Sequence, residues 1–215
     1  MGVGILIPIF LQNILGQSAF NSGLALLPGA LLMAVMMLVS GRLFDKHGLK
    51  KLAVPGIILL IVSTVPFTNL QKGTSLMFIT VFCAIRYLGI ALVIMPMQTA
   101  GMNSLPKELL AHGNAVVNTA KQIVGSLGTA VLITVMSNVT SKNAPVESLA
   151  TTNSALYKSL ILDASLKGID TTFAMMIGLI VIALVMAFFL KDKNYKKNKK
   201  DKLFLKDINE EEQIA

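Results

Sequence analysis

Acidic residues are scarce in this 215-residue chain: eleven Asp and Glu in all, and none within its long apolar segments. Coupling to protons or sodium usually needs a titratable carboxylate in the membrane, so the chain lacks that device within itself. Charge of both signs is low, 14% of residues against about 25% in an ordinary soluble domain. A single cysteine, Cys83, excludes an internal disulfide and a Cys-based metal site. No Walker A loop, HExxH, Cys/His cluster or GxSxG occurs. Nothing therefore supports ATP hydrolysis or a recognisable membrane enzyme, and no metal or cofactor is expected. The N-terminus has no basic region followed by a small-residue cleavage pattern, so a signal peptide is not expected.

What is present is apolar. The hydrophobic fraction is 54% and the mean hydropathy +0.71. The apolar residues come in blocks near membrane length, which predicts an all-α polytopic membrane protein. Six spans are expected, over 2–15, 23–43, 52–68, 75–97, 115–136 and 171–190. The first is short against the roughly 20 residues a membrane helix needs, as though the chain began inside a helix. Pro28-Gly29, Pro55-Gly56 and Pro96 mark kinks or entries. Residues 71–74 make a tight turn. The stretch 137–170 is too polar to span and reads as an outer loop, with a partly helical segment on the membrane surface. Residues 191–215 form a polar, charged tail.

Orientation follows from the basic residues. A charged run, 41–51, sits between two charge-free apolar stretches and reads as a cytoplasmic hairpin turn. That choice places Arg42, Lys46, Lys50, Lys51, Lys107 and eight tail lysines inside. Lys72, Lys142, Lys158 and Lys167 then lie outside, while Arg86 and Lys121 fall within spans. Thirteen against four is a strong positive-inside bias, with a cytoplasmic C-terminus. The net charge of +8 is therefore topological, not the footprint of nucleic-acid binding.

Two features could carry function. Arg86 lies eleven residues into the fourth span, where a charge costs about 2.5 kcal/mol or more. With no acid in any span, its partner is a carbonyl, a polar side chain, a bound substrate or an acid outside the chain. The fifth span carries a polar stripe at helical spacing: Asn114, Asn118, Lys121, Gln122, Gly125, Ser126 and Thr129. Such a stripe avoids lipid, so it faces either a packed neighbour or a water-filled cavity. Arg86, Asn114, Asn118, Lys121 and Gln122 are the candidate substrate-pathway residues.

The charged run resembles the signature of the major facilitator superfamily, Gly-x-Leu-x-Asp-(Arg/Lys)-x-Gly-(Arg)-(Arg/Lys)-(Arg/Lys). Here it stands as Gly41, Leu43, Asp45, Lys46, Gly48, Lys50 and Lys51, with Leu49 where the family often has Arg. Leu11-Gln12, the turn at Gly16 to Ala19, Ser22 to Gly29 and Asn114 to Gly128 look like the C-terminal half of a fourteen-helix drug–proton antiporter. The resemblance implies a six-helix half-bundle of that fold, in a multidrug efflux permease of the cell membrane working by alternating access. It implies an amphipathic, drug-like substrate and a bilayer setting. It also implies a missing N-terminal half, or self-association, to complete the transporter. Gly41, Arg42, Asp45, Lys46, Gly48, Lys50 and Lys51 would inherit a gating role. Two rivals stand beside it: a non-transporting sensor or scaffold module, and a solute uniporter or symporter of the same fold.

Overall fold

The computed structural model describes residues 2–146 and 153–189. Among them it is helical throughout, with no strand. The helices are α1 (Val3–Ile9), α2 (Ala19–His47), α3 (Leu49–Thr64), α4 (Leu76–Met102), α5 (Leu110–Asn143) and α6 (Ser154–Phe188). Among the described residues five apolar helices are long enough to cross a membrane, α3 together with the 3-10 turn Val65–Thr68; the first is shorter, α1 continuing through one π-helical segment, Phe10–Ile14. The tail 191–215 lies outside the described residues.

Local chemistry sets the boundaries. Gly16 turns the chain at φ 63°, and the Ser18 hydroxyl then accepts the Asn21 amide at 3.1 Å as the N-cap of α2. The chain is thus a turn through Ser18 and helical from Ala19 onward. Pro28, Pro55 and Pro96 all sit inside continuous helices. Pro66 instead falls in the 3-10 turn Val65–Thr68 that closes α3.

Two sequence expectations change shape. The charged run is not a loop. Helix α2 continues to His47 and α3 begins at Leu49, leaving Gly48 alone between them at φ 83°, ψ 175°. Only glycine adopts that backbone cheaply. The stretch expected as an outer loop, 137–170, is largely helical as well: α5 runs on to Asn143, and α6 starts at Ser154 behind an Asn153 cap. Leu156, Leu160 and Leu166 belong to that same helix. At 1.5 Å per residue α6 is about 52 Å long, well beyond the roughly 30 Å of hydrocarbon. Its polar first half extends the helix past the apolar layer, where helix and polarity are compatible.

Packing is uneven. Helix α4 lies along both α2 and α3, α5 pairs with α6, and α6 touches α3. The α3–α4 crossing is a meeting of glycines: a Cβ on Gly89 would lie 2.9 Å from the Gly56 carbonyl oxygen, and one on Gly56 2.8 Å from Val93. Gly168 of α6 is likewise pressed on the Met136 carbonyl of α5, at 2.7 Å for an added Cβ. Lipid-embedded helices associate through such small residues because no hydrophobic gain drives them together. A buried apolar cluster lies where α1 and its π-helical segment meet the other helices. There Phe67 stacks on Phe173 at 5.3 Å and meets Phe82 edge-on at 6.3 Å. Each aromatic pair is worth about 0.5–1.5 kcal/mol beyond its burial.

Candidate functional site

Three polar places interrupt the apolar bundle. At the α2–α3 turn, Arg42, Asp45, Lys46 and Lys51 are exposed, Gly41 and Lys50 half-buried and Gly48 buried. The Lys50 ammonium donates to the Phe188 carbonyl at 2.7 Å and lies 5.9 Å from that residue's ring centroid. It caps the C-terminal end of α6, the electronegative end of the helix dipole. The charged run thereby ties the α2–α3 hairpin to the last helix. Asp45 forms no ion pair among the described residues. Beside the run opens a cleft of about 700 Å³ with apolar walls, including Leu43, Leu52, Pro55 and Leu92, and His47, Lys50 and Lys51 at its rim.

The second place is Arg86, 8% exposed within the α3–α4 contact. Its Nη1 donates to the Thr64 hydroxyl oxygen of α3, and the Thr64 hydroxyl in turn donates to the Leu60 carbonyl. Its Nε is buried without a hydrogen-bond partner among the described residues. The polar side chain that holds this charge therefore comes from inside the half-bundle. Sequence reading passes over Thr64, because a threonine in an apolar run normally bonds its own helix.

The third place lies between α4 and α5. The Lys121 ammonium donates to Gln98 Oε1 at 2.7 Å, and Gln98 Nε2 reaches Asn114 Oδ1 at 3.4 Å. Asn118 Nδ2 reaches the same oxygen, also at 3.4 Å. Three members of the expected stripe thus converge, one turn apart on α5, and recruit one residue of α4 that was not expected. Gln98 lies one residue beyond the anticipated end of the fourth span. Its signal, an amide closing an apolar run just after Pro96, has no periodic partner on its own helix. Gln122 is exposed, and its side chain makes no hydrogen bond among the described residues. Ser126 and Thr129 turn their hydroxyls back to Ile123 and Gly125 of their own helix.

Arg86 is not part of this cluster. It lies twelve residues before Gln98, about 18 Å along α4, and is bonded to α3. Asn114, Asn118 and Lys121 are exposed among the described residues instead. Among the described residues Leu132 is the one buried side chain of α5, and its contact with α4 is slight.

The chain is similar to known proteins over this region. The family description Major Facilitator Superfamily matches residues 1–129, a stretch that holds the charged run, Arg86 and the whole α4–α5 cluster. The chain is 37% identical over 191 residues to the uncharacterized MFS-type transporter YcnB of Bacillus subtilis, covering 89% of this chain and 38% of that protein. It is 45% identical over 133 residues to the lincomycin resistance protein LmrB of Listeria monocytogenes, covering 62% and 28%. A multidrug resistance protein B homolog of Mycobacterium tuberculosis is 29% identical over 133 residues, covering 61% and 25%. The chain spans less than half the length of each of these relatives.

Proposed function

Because this chain belongs to the major facilitator superfamily, we propose that it is the C-terminal half of a multidrug efflux transporter, completed by an N-terminal half and working by alternating access in the cell membrane. The observation that carries this proposal is the polar cluster of Gln98, Asn114, Asn118 and Lys121 on a face that the described residues leave uncovered. A charge and three amides on the open side of an apolar helix need water or protein against them. A central cavity shared with a second half supplies both. In this proposal α2, α3 and α4 rock as one body, held by the glycine crossing and by Arg86. The face of α4 and α5 lines the pathway near Lys121.

The charged run is the proposed gate on the cytoplasmic side, where the C-terminus also lies. Asp45 is exposed and free to meet a basic group or a helix N-terminus of the other half when the inner side closes. Coupling to protons is assigned to the other half, since the half-buried acid of these helices, Asp170 of α6, already accepts the Leu70 amide at 3.2 Å. Relatives named for lincomycin and multidrug resistance support a drug-like, amphipathic substrate.

The test is efflux from cells expressing the chain alone, and then together with the N-terminal portion of the Bacillus relative. Transport is expected only in the second case. In that pair Asp45→Asn, which keeps size and loses charge, is expected to cut efflux about tenfold, the effect of roughly 1.4 kcal/mol on a two-state ratio. Efflux and cysteine accessibility unchanged by Asp45→Asn would reduce the run to a topological marker. A reporter active after Phe189 only outside the cell would overturn the orientation.

A further inference from the structure

The α4–α5 cluster has donors to spare and a charge that forms no ion pair among the described residues. Gln98 Oε1 already accepts from Lys121, and Asn114 Oδ1 accepts from both Gln98 and Asn118. Lys121 carries three N–H donors and spends one of them on Gln98. The partner it has chosen is neutral, so the ammonium is held in place with its charge intact. A structural cation would be closed in, as Arg86 is. Lys121 instead stays exposed. Apolar side chains continue the surface on the side away from the α4–α5 connection. Ile94, one turn from Gln98 on α4, is 41% exposed, and Val124, three residues after Lys121 on α5, is 69% exposed. The surface is thus a fixed cation with amide donors at one end and an apolar wall at the other.

We propose that Lys121, Gln98, Asn114 and Asn118 form the binding site for the anionic head, a carboxylate or similar group, of a small amphipathic molecule. The transported class accordingly includes acidic amphiphiles. The site rests on the pathway assigned above and adds to it the charge of the ligand. Lys121 supplies the charge-assisted hydrogen bond, the amides fix the head, and Ile94 and Val124 carry the apolar body.

The experiment uses the full chain in nanodiscs of zwitterionic phosphatidylcholine. It is titrated by fluorescence with dansylglycine and with dansylglycine methyl ester, which share one apolar body and differ in the carboxylate. Wild type is expected to bind the acid about tenfold more tightly than the ester. Lys121→Gln is expected to remove that preference, Lys121→Arg to keep it, and Lys72→Gln, at a distant loop, to leave it unchanged. Equal binding of both probes to wild type, or a preference that survives Lys121→Gln, overturns the anion site while leaving the pathway in place. Failure of both probes to bind overturns the pathway itself. Repeating the titration on the chain assembled with the N-terminal portion of the relative separates the two sources of a carboxylate. Retention of the preference supports a ligand. Its loss there alone means that an acid of the other half occupies Lys121, and overturns the substrate assignment.

Discussion

Arg86 and Lys121 are both cations inside apolar helices, and the chain treats them in opposite ways. Arg86 sits where α3 and α4 approach closely enough for two glycines to meet, and its guanidinium is closed against Thr64. Lys121 sits where α4 and α5 barely touch, steadied by Gln98 and otherwise open. One charge is part of how the bundle holds together, and the other is what the bundle presents. The difference lies in the neighbouring helix, not in the residue: α3 brings Arg86 a glycine and a hydroxyl, while α4 brings Lys121 a single amide and keeps its distance.

The contrast breaks first at the glycines. Gly89→Leu forces a side chain into the Gly56 carbonyl and is expected to cost about 3 kcal/mol or more. Gly128→Leu on α5, where an added Cβ meets nothing within 4 Å, is expected to cost nothing measurable. Cys83 is the one cysteine of the chain and is 2% exposed. Its labelling by a thiol-reactive fluorophore during a thermal ramp reads both variants. Early labelling in both, or in neither, would erase the difference between the two faces.

The next effect is on Arg86 itself. Thr64→Val removes the hydroxyl that receives the guanidinium and leaves a buried donor unpaired, at about 1–3 kcal/mol. Adding Arg86→Met is expected to recover most of that loss, because an apolar pair of similar size needs no partner. Lys121→Met is expected to leave the unfolding temperature unchanged while altering ligand preference. A Lys121→Met as unstable as Thr64→Val would make the open cation structural after all. The smallest effect is on the far side of the molecule, where Lys72 meets Asp163 at 2.7 Å with both side chains about half exposed. Asp163→Asn is expected to shift stability by less than about 1 kcal/mol, and less still in high salt.

Hydropathy and helical period made the spans and the α5 stripe legible, because both are properties of one segment read along itself. Asn114, Asn118 and Lys121 were visible for that reason. Gln98 and Thr64 were not, since each gains its meaning from a helix that crosses it, and one sequence does not give the crossing. A partly helical segment was legible before the last span, but not its continuity with it as α6: polarity marks where an apolar stretch ends, not where the helix does. Arg86 was legible as an expensive charge but not as a closed one. Its acceptor, an ordinary threonine 22 positions away, carries no signal of its own.

Gly48 separates a helix of 29 residues from one of 16. Two torsion angles at that one residue are therefore the whole articulation between them. Any swing of α2 against α3 has to be absorbed there, in a region of backbone space that every other residue type resists. Any other residue at position 48 would shift those two angles and re-aim the two helices against each other.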